Sequence, residues 1–429
     1  MRPWAIAAFA LIVLGVVQAT PAVARQPRGS VESRPINVSG TVTDSLTPVV
    51  AVSGEYVHIA WIESEPTTDG LRATIWYVRS TDAGATYETA RSIAPLTGYA
   101  SALQCVVDGS TVHLAWLATS YTTGTPAAVD YQRSVDSGLT FEPFVTVSAA
   151  EPPGAPILVA SGERVAAVWQ AGERIWMALS IDSGRSFDLA PAVGVAGELV
   201  AVTVRAAATR EGIALAWLVP AVGGGLRLEV GRVNWRTGYL SESSSPEGST
   251  VSDISATAFG DRVIVAWTTA TSVRTAKFAR SSDGGASYSA PDTLGDASVL
   301  GAPRASAGAD VAFVTWVDRF DRLRISHIKN EDGSVGEIRV KTNRRAVFPE
   351  IAGNGESAVV AWRSGSGSGS LIRSCLVDSK RDAATVWRTA RRGGSAVAPR
   401  VAVDGLHRIV VWQQLVDGAA EVFAMRLPD

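Results

Sequence analysis

The chain has 429 residues, of which 46% are hydrophobic and 19% charged, and its formal net charge is −2. So even a balance offers no electrostatic attraction to nucleic acid or to an anionic membrane surface, and neither is expected as a partner. The two cysteines, Cys105 and Cys375, fall in distant repeats and are expected to be buried free thiols, so the fold does not lean on cross-links.

The first residues, MRPWAIAAFALIVLGVVQATPAVA, place Arg2 before an apolar run from Trp4 to Val17, then Ala22-Val23-Ala24. A basic, an apolar and a small-x-small segment in that order read as a secretory signal cleaved after Ala24. The run is shorter than the ~20 residues a spanning helix needs, and no later stretch could cross a bilayer. The expected product is a soluble, secreted or periplasmic protein, with residues 25–429 forming one domain. Roughly 400 residues would ordinarily divide further, but repeat folds escape that rule.

A short apolar strand ending in tryptophan recurs eight times, at Trp61, Trp116, Trp169, Trp217, Trp267, Trp316, Trp362 and Trp412. The intervals are 55, 53, 48, 50, 49, 46 and 50 residues. A period near 50 with strand-like content and no helical periodicity is the size of one four-stranded propeller blade. These strands are apolar on both faces, as a sheet packed between two neighbours requires.

In six repeats a glycine (Gly54, Gly109, Gly162, Gly260, Gly355, Gly405) lies seven residues before the tryptophan, marking a hairpin. A short strand precedes it, as in 48–52 and 399–403. That strand is read as the innermost, strand A, and the tryptophan strand as B. The eighth repeat ends after its third strand (421–427) and lacks a fourth. Residues 34–40, Arg-Pro-Ile-Asn-Val-Ser-Gly, supply an unassigned strand that resembles the fourth-strand segment 142–148. The missing and surplus strands match, which predicts an all-β propeller of eight blades closed by the N-terminal strand, with seven as the alternative.

Four repeats carry a common pattern after strand C: Ser80-Thr81-Asp82-Ala83-Gly84-Ala85-Thr86-Tyr87, and its equivalents at 134–141, 180–187 and 281–288. A carboxylate that collects backbone N–H groups, a left-handed glycine and an aromatic plug make a self-contained hairpin. This resembles the Asp-box, or BNR, repeat of the sialidase superfamily, over nearly the whole mature chain. The resemblance implies that Asp82, Asp136, Asp182 and Asp283 are structural, on the rim away from any active site. It also implies a possible sialidase chemistry: an arginine trio on the substrate carboxylate, a tyrosine nucleophile activated by glutamate, and an aspartic acid. Sialidases carry Arg-Ile-Pro ahead of the first blade, where this chain has Ser33-Arg34-Pro35-Ile36, and they have six blades. No Tyr–Glu pair is evident in the sequence.

Twelve residues before the tryptophan, at the start of strand A, the last three repeats have Arg304, Glu350 and Arg400, where others have Val49, Gln104, Ile157 and Ser255. Arg363 follows Trp362 directly. These residues, with Tyr121 on a B–C loop, are the candidate ligand contacts, since guanidinium forks suit carboxylates. The alternative is an Arg–Glu–Arg ion-pair chain that staples blades six to eight. The B–C connections of blades one, two and six carry Glu63, Glu65, Asp69, Asp318, Arg319, Asp321 and Arg322, positions open to binding or to solvation. His58 and His113 share one position in adjacent repeats and read as core groups; no metal motif, cofactor motif or hydrolase signature occurs. Two functions follow: a non-catalytic extracellular recognition module for a glycan or protein, or a divergent exo-sialidase-type glycoside hydrolase.

Overall fold

The computed structural model describes residues 34–428 apart from short stretches, the longest being 121–124, 194–202 and 390–394. The expected signal segment, 1–24, lies outside the described residues. Eight antiparallel sheets follow one another along the chain. Blade one is typical, with strands A to D at Asp44–Ser53, Tyr56–Thr67, Gly70–Ser80 and Arg91–Pro95. Blade four has three strands, Thr203–Ala208, Gly212–Pro220 and Leu226–Asn234. There the outer edge is met by isolated bridges from Leu240 and Ser244. Blade eight joins Ala396–Asp404, His407–Val416 and Ala419–Arg426 to the N-terminal Ile36–Asn37, which pairs with Ala424 and Phe423. The inner strands touch in sequence and the eighth touches the first. The fold is an eight-bladed β-propeller, and the seven-bladed alternative is excluded. No helix among the described residues is long and apolar enough to cross a membrane.

The hydrophobic core is not central. It is divided into eight clusters, each lying between two successive blades. Every repeat tryptophan packs onto the blade before its own: Trp116 against Ile62, Ile75 and Tyr77, and Trp267 against Leu218, Leu228 and Val230. All eight are at most 4% exposed. The ring's closing interface obeys the same rule, with Trp61 set against Ile409, Val411 and Val422 of blade eight, and Val38 added from the N-terminal strand. Cys375 is buried and Cys105 partly so; both are free, and burial pushes each thiol up to about 12.

Closure is secured by polar groups as well. Glu63 is fully buried, not a rim residue. Its carboxylate accepts from Trp61 Nε1 at 2.6 Å, Ser45 Oγ at 2.6 Å, Thr41 Oγ1 at 2.9 Å and the Thr43 hydroxyl. Nearby, the Ser39 hydroxyl donates to Glu421 of blade eight. The segment between the closing strand and blade one is thus tied at both ends. A buried carboxylate is tolerated here because four donors replace its water. Glu63→Ala leaves four donors without their acceptor and is expected to cost about 3 kcal/mol in denaturant unfolding. Glu65→Ala, which breaks only the exposed pair to Arg72, is expected to cost under about 0.5 kcal/mol.

Candidate functional site

Hairpin geometry gives the ring two unlike faces. A–B turns and C–D connections lie at one end of each blade, and B–C hairpins and the starts of strand A at the other. The Asp-centred turns sit on the first face: Ala83 N donates to Glu55 O at 2.8 Å, Ser137 N to Ser110 O at 2.8 Å and Ser183 N to Glu163 O at 2.7 Å, all carbonyls of A–B turns.

Within each Asp turn the carboxylate is saturated. Asp136 Oδ1 accepts from Ser134 Oγ at 2.7 Å and Thr140 N at 2.9 Å, and Oδ2 from Thr140 Oγ1 at 2.6 Å. Asp82, Asp182 and Asp283 repeat this set. Desolvation pushes these carboxyls up, but the hydroxyl and amide donors outweigh it and hold Asp136, Asp182 and Asp283 down at about 2. An arginine on strand C reaches the turn of the next blade: Arg79 Nη1 to Ser137 O at 3.2 Å, Arg133 to Ser183 O at 2.9 Å and Arg232 to Asp283 O at 2.9 Å. The turns therefore act as latches between blades, with their carboxylates engaged by donors of their own hairpins.

Beneath two of these latches lie the aligned histidines. His58 Nδ1 meets Tyr77 Oη at 2.7 Å and His113 Nδ1 meets Tyr131 Oη at 2.6 Å, all four residues being buried. The next blade's turn glycine closes over each tyrosine: a Cβ on Gly138 would lie 1.8 Å from Tyr77 Oη, at φ +79°. Gly54 is also left-handed, at φ +54°, but nothing lies within 4 Å of a Cβ there. Gly54→Ala is therefore expected to cost about 1–2 kcal/mol, the left-handed backbone alone. Gly138→Ala adds overpacking of roughly 1–3 kcal/mol, so the difference in their unfolding midpoints measures the latch.

The opposite face holds the mouth of the channel. The residue twelve before each tryptophan pairs, in all eight blades, with the residue just before that tryptophan: Val49 with Ala60, Gln104 with Ala115, Arg304 with Thr315, Glu350 with Ala361, Arg400 with Val411. One tier of side chains therefore circles the inner strands. Glu350 Oε1 lies 3.5 Å from Arg304 Nε and 3.3 Å from Arg400 Nη1, joining blades six, seven and eight. The ion-pair chain exists, with Arg304 36% and Arg400 44% exposed. Arg205, in the same tier of blade four and paired with Ala216, was missed, although the twelve-residue spacing in the fourth repeat identifies it. Burial lowers its pKa, and the like charge of Arg304 adds to this against Asp253 and Glu350. Arg363 lies beside this tier, its guanidinium 5.0 Å from the Phe348 ring centroid. Tyr121 lies outside the described residues.

In blades one, two, seven and eight, strand A bulges just before the tier. Pairing is interrupted there, and Thr47, Ala102, Phe348 and Ala398 have φ between +51° and +52°. Proline follows three of the four, and at a bulge its missing N–H goes unneeded. Asp318, expected on the rim, is fully buried and bonded to Arg324 Nε at 2.9 Å and to the amides of Phe320 and Arg322. It shapes the blade-six B–C turn, whose exposed groups are Arg319, Phe320 and Arg322. Of the described tyrosines, Tyr77 and Tyr131 bond the histidines, and Tyr87 and Tyr288 are held in Asp turns with buried hydroxyls. Tyr56 and Tyr239 belong to the Asp-turn face, which leaves Tyr99, at the start of a strand A, on the mouth face. Among the described residues no cluster of His, Cys, Asp or Glu could hold a metal ion.

No family model matches the chain, and no curated protein sequence matches it. Solved structures do resemble it. The Dos1 propeller is 10% identical, aligning 92% of this chain with 94% of its own at a TM-score of 0.56. A mutant of NanB sialidase from Streptococcus pneumoniae is 9% identical over 92% of this chain and 71% of its own, with a TM-score of 0.45. The phage phi92 endosialidase is 9% identical over 92% and 69%, with a TM-score of 0.42. At these identities the likeness is one of fold alone, a β-propeller.

Two acid transitions follow, one from the buried histidines and one from the Asp turns. His58 and His113 are held at about 4, by burial first and then by Arg79 and Arg133, and unfolding returns them to about 6.5. Their contribution is complete above pH 6.5 and is lost as pH falls from 6.5 towards 4. The Asp turns contribute above about pH 4, and that share is lost as pH falls towards 2. In pH-dependent unfolding, His58→Asn with His113→Asn is expected to flatten the first phase and spare the second. An unaltered slope between pH 6.5 and 4 would count against this assignment.

Proposed function

We propose that this chain is a secreted or periplasmic Asp-box propeller that acts as a non-catalytic recognition module, binding a glycan or an extracellular protein at the mouth face. One observation carries the reading. In the mouth tier Arg304 and Arg400 share the Glu350 carboxylate, and Arg205 lies close enough to feel Arg304, Asp253 and Glu350, so guanidinium edges are left over after the ion-pair chain is made. Surplus forked donors on a rigid inner tier suit a ligand that brings its own anions. The Asp turns of the other face are engaged in holding blades together.

The rival reading, a divergent sialidase-type hydrolase, rests on the resemblance of the turns and on fold likeness, and folds host many functions. It needs a tyrosine hydroxyl within reach of a glutamate beside clustered arginines. Seven of the eight tyrosines are described, and six of those seven are placed elsewhere or engaged with other partners. The binding reading requires no cofactor and no metal.

A glycan-array screen of the purified protein, run beside a fluorogenic sialoside assay, tests the two. Retention without turnover is expected. Arg304→Ala and Arg400→Ala are each expected to weaken retention at least about tenfold, the equivalent of one charged contact, with melting temperature nearly unchanged because these pairs are exposed. Hydrolysis above the level of the Arg400→Ala variant overturns the proposal. A fall in melting temperature with binding intact would assign the arginines to stapling alone.

A further inference from the structure

Beside the mouth, blades six and seven carry a second concentration of arginine, built on exposed aromatic rings. In the blade-six B–C turn, Phe320 is 57% exposed. The guanidiniums of Arg319 and Arg322 lie 4.7 and 4.6 Å from its ring centroid. Arg345, at the foot of blade seven, pairs with Asp321 of that turn at 3.1 Å, and Ala346 N donates to Asp321 O at 2.9 Å. Two residues further on, Phe348 is 66% exposed and holds Arg363 over its ring. Glu350 then connects to the mouth arginines. Contacts and neighbouring residues thus form a line from the rim of blade six to the tier of blade eight.

Three features set this strip apart from an ordinary solvated edge. The first is charge: Arg319 and Arg363 have no carboxylate partner among the described residues, and Arg363 Nε is buried without a hydrogen bond. The protein as a whole is slightly acidic, so the excess is local. The second is strain. Phe348 sits in the left-handed region at φ +52°, where the equivalent bulges of blades one, two and eight have Thr47, Ala102 and Ala398. A bulky side chain in that conformation costs about 1–3 kcal/mol, and residues so held cluster at functional sites. The third is order: a guanidinium held over a ring has few rotamers left to lose when an anion binds.

We propose that this strip binds an acidic polysaccharide chain, whose carboxylate or sulfate groups dock on the Arg319–Arg322 pair and on Arg363 while the chain leads into the mouth. The inference rests on the recognition reading above and extends it to a ligand class and a direction. Guanidiniums strung along a line suit anions repeated along a polymer rather than one terminal group. A membrane fits less well, because sinking Phe320 below the headgroups would drag two arginines into hydrocarbon. Single-stranded nucleic acid stacks its bases on open aromatic faces, and here guanidiniums occupy them.

The test is affinity electrophoresis and titration calorimetry of the full chain with polygalacturonate, heparin and neutral dextran, beside phosphatidylserine vesicles and oligo-dT. Binding to polygalacturonate, heparin or both, weakening as salt rises and absent for dextran, is expected. The first two probes separate carboxylate from sulfate recognition. Arg319→Gln combined with Arg322→Gln, and separately Phe348→Gly, are each expected to weaken binding at least about tenfold. Phe348→Gly should hold or raise the melting temperature, since glycine is at ease at φ +52°, so lost binding there cannot come from lost folding. Full affinity in these variants alongside loss in Arg400→Ala overturns the rim strip and leaves the mouth reading standing. Tighter binding to vesicles or oligo-dT, or equal binding to dextran, overturns the polysaccharide assignment itself.

Discussion

The constraint on which the structure depends is the packing of each blade's tryptophan against the blade before it. A single four-stranded sheet buries neither of its faces. In this ring every sheet is covered twice: the next blade's tryptophan packs on the face that carries small residues such as Ala60, Ala115 and Ala216, and the sheet's own tryptophan lies against the blade before. Each blade therefore borrows its stability from two neighbours. A ring of such borrowings cannot end. This is why a closing strand of only Ile36 and Asn37 is accompanied by Val38 in the core, Ser39 on Glu421, and three hydroxyls on Glu63.

The two faces of the ring use charge in opposite ways. On the Asp-turn face the carboxylates of Asp82, Asp136, Asp182 and Asp283 are held by donors of their own hairpins, and Arg79, Arg133, Arg232 and Arg280 of strand C reach carbonyls of the next hairpin. Those contacts make the face cohesive from blade to blade. On the mouth face the B–C connections vary, strand A bulges in four consecutive blades around the ring, and arginines outnumber the acids they touch. A surface that leaves donors unmatched while holding their positions with rings and ion pairs is preorganised for anions. The proposed recognition role follows from that asymmetry rather than from any catalytic grouping.

How much of this was legible in the chain differs by kind of residue. The tryptophans, the hairpin glycines and the Asp turns announce themselves because their roles are local and repeat every fifty residues. The tier position was legible too, and Arg205 escaped notice through the slipped turn of the fourth repeat, not through lack of signal. Glu63 and Asp318 were misplaced for a different reason. A carboxylate near the end of a strand looks like a rim charge until the donors that surround it, at positions 41 to 45 for one and 320 to 324 for the other, are brought alongside. Phe348 carried no readable signal, because its left-handed backbone is imposed by a bulge between two paired strands.

By itself the sequence determined the blade, its repeat, the order of strands from the axis outward and the need for the first strand to complete the last, and it favoured eight blades over seven. These depend on which residues avoid water and which permit a turn, and both are properties of short segments. Only the tertiary structure decided which charges are buried and matched, which are left exposed, and that Arg304, Glu350 and Arg400 share one carboxylate. The separations involved, 46 and 50 residues along the chain against 3.5 and 3.3 Å in space, are created by closing the ring, and electrostatic pairing depends on the spatial distance alone.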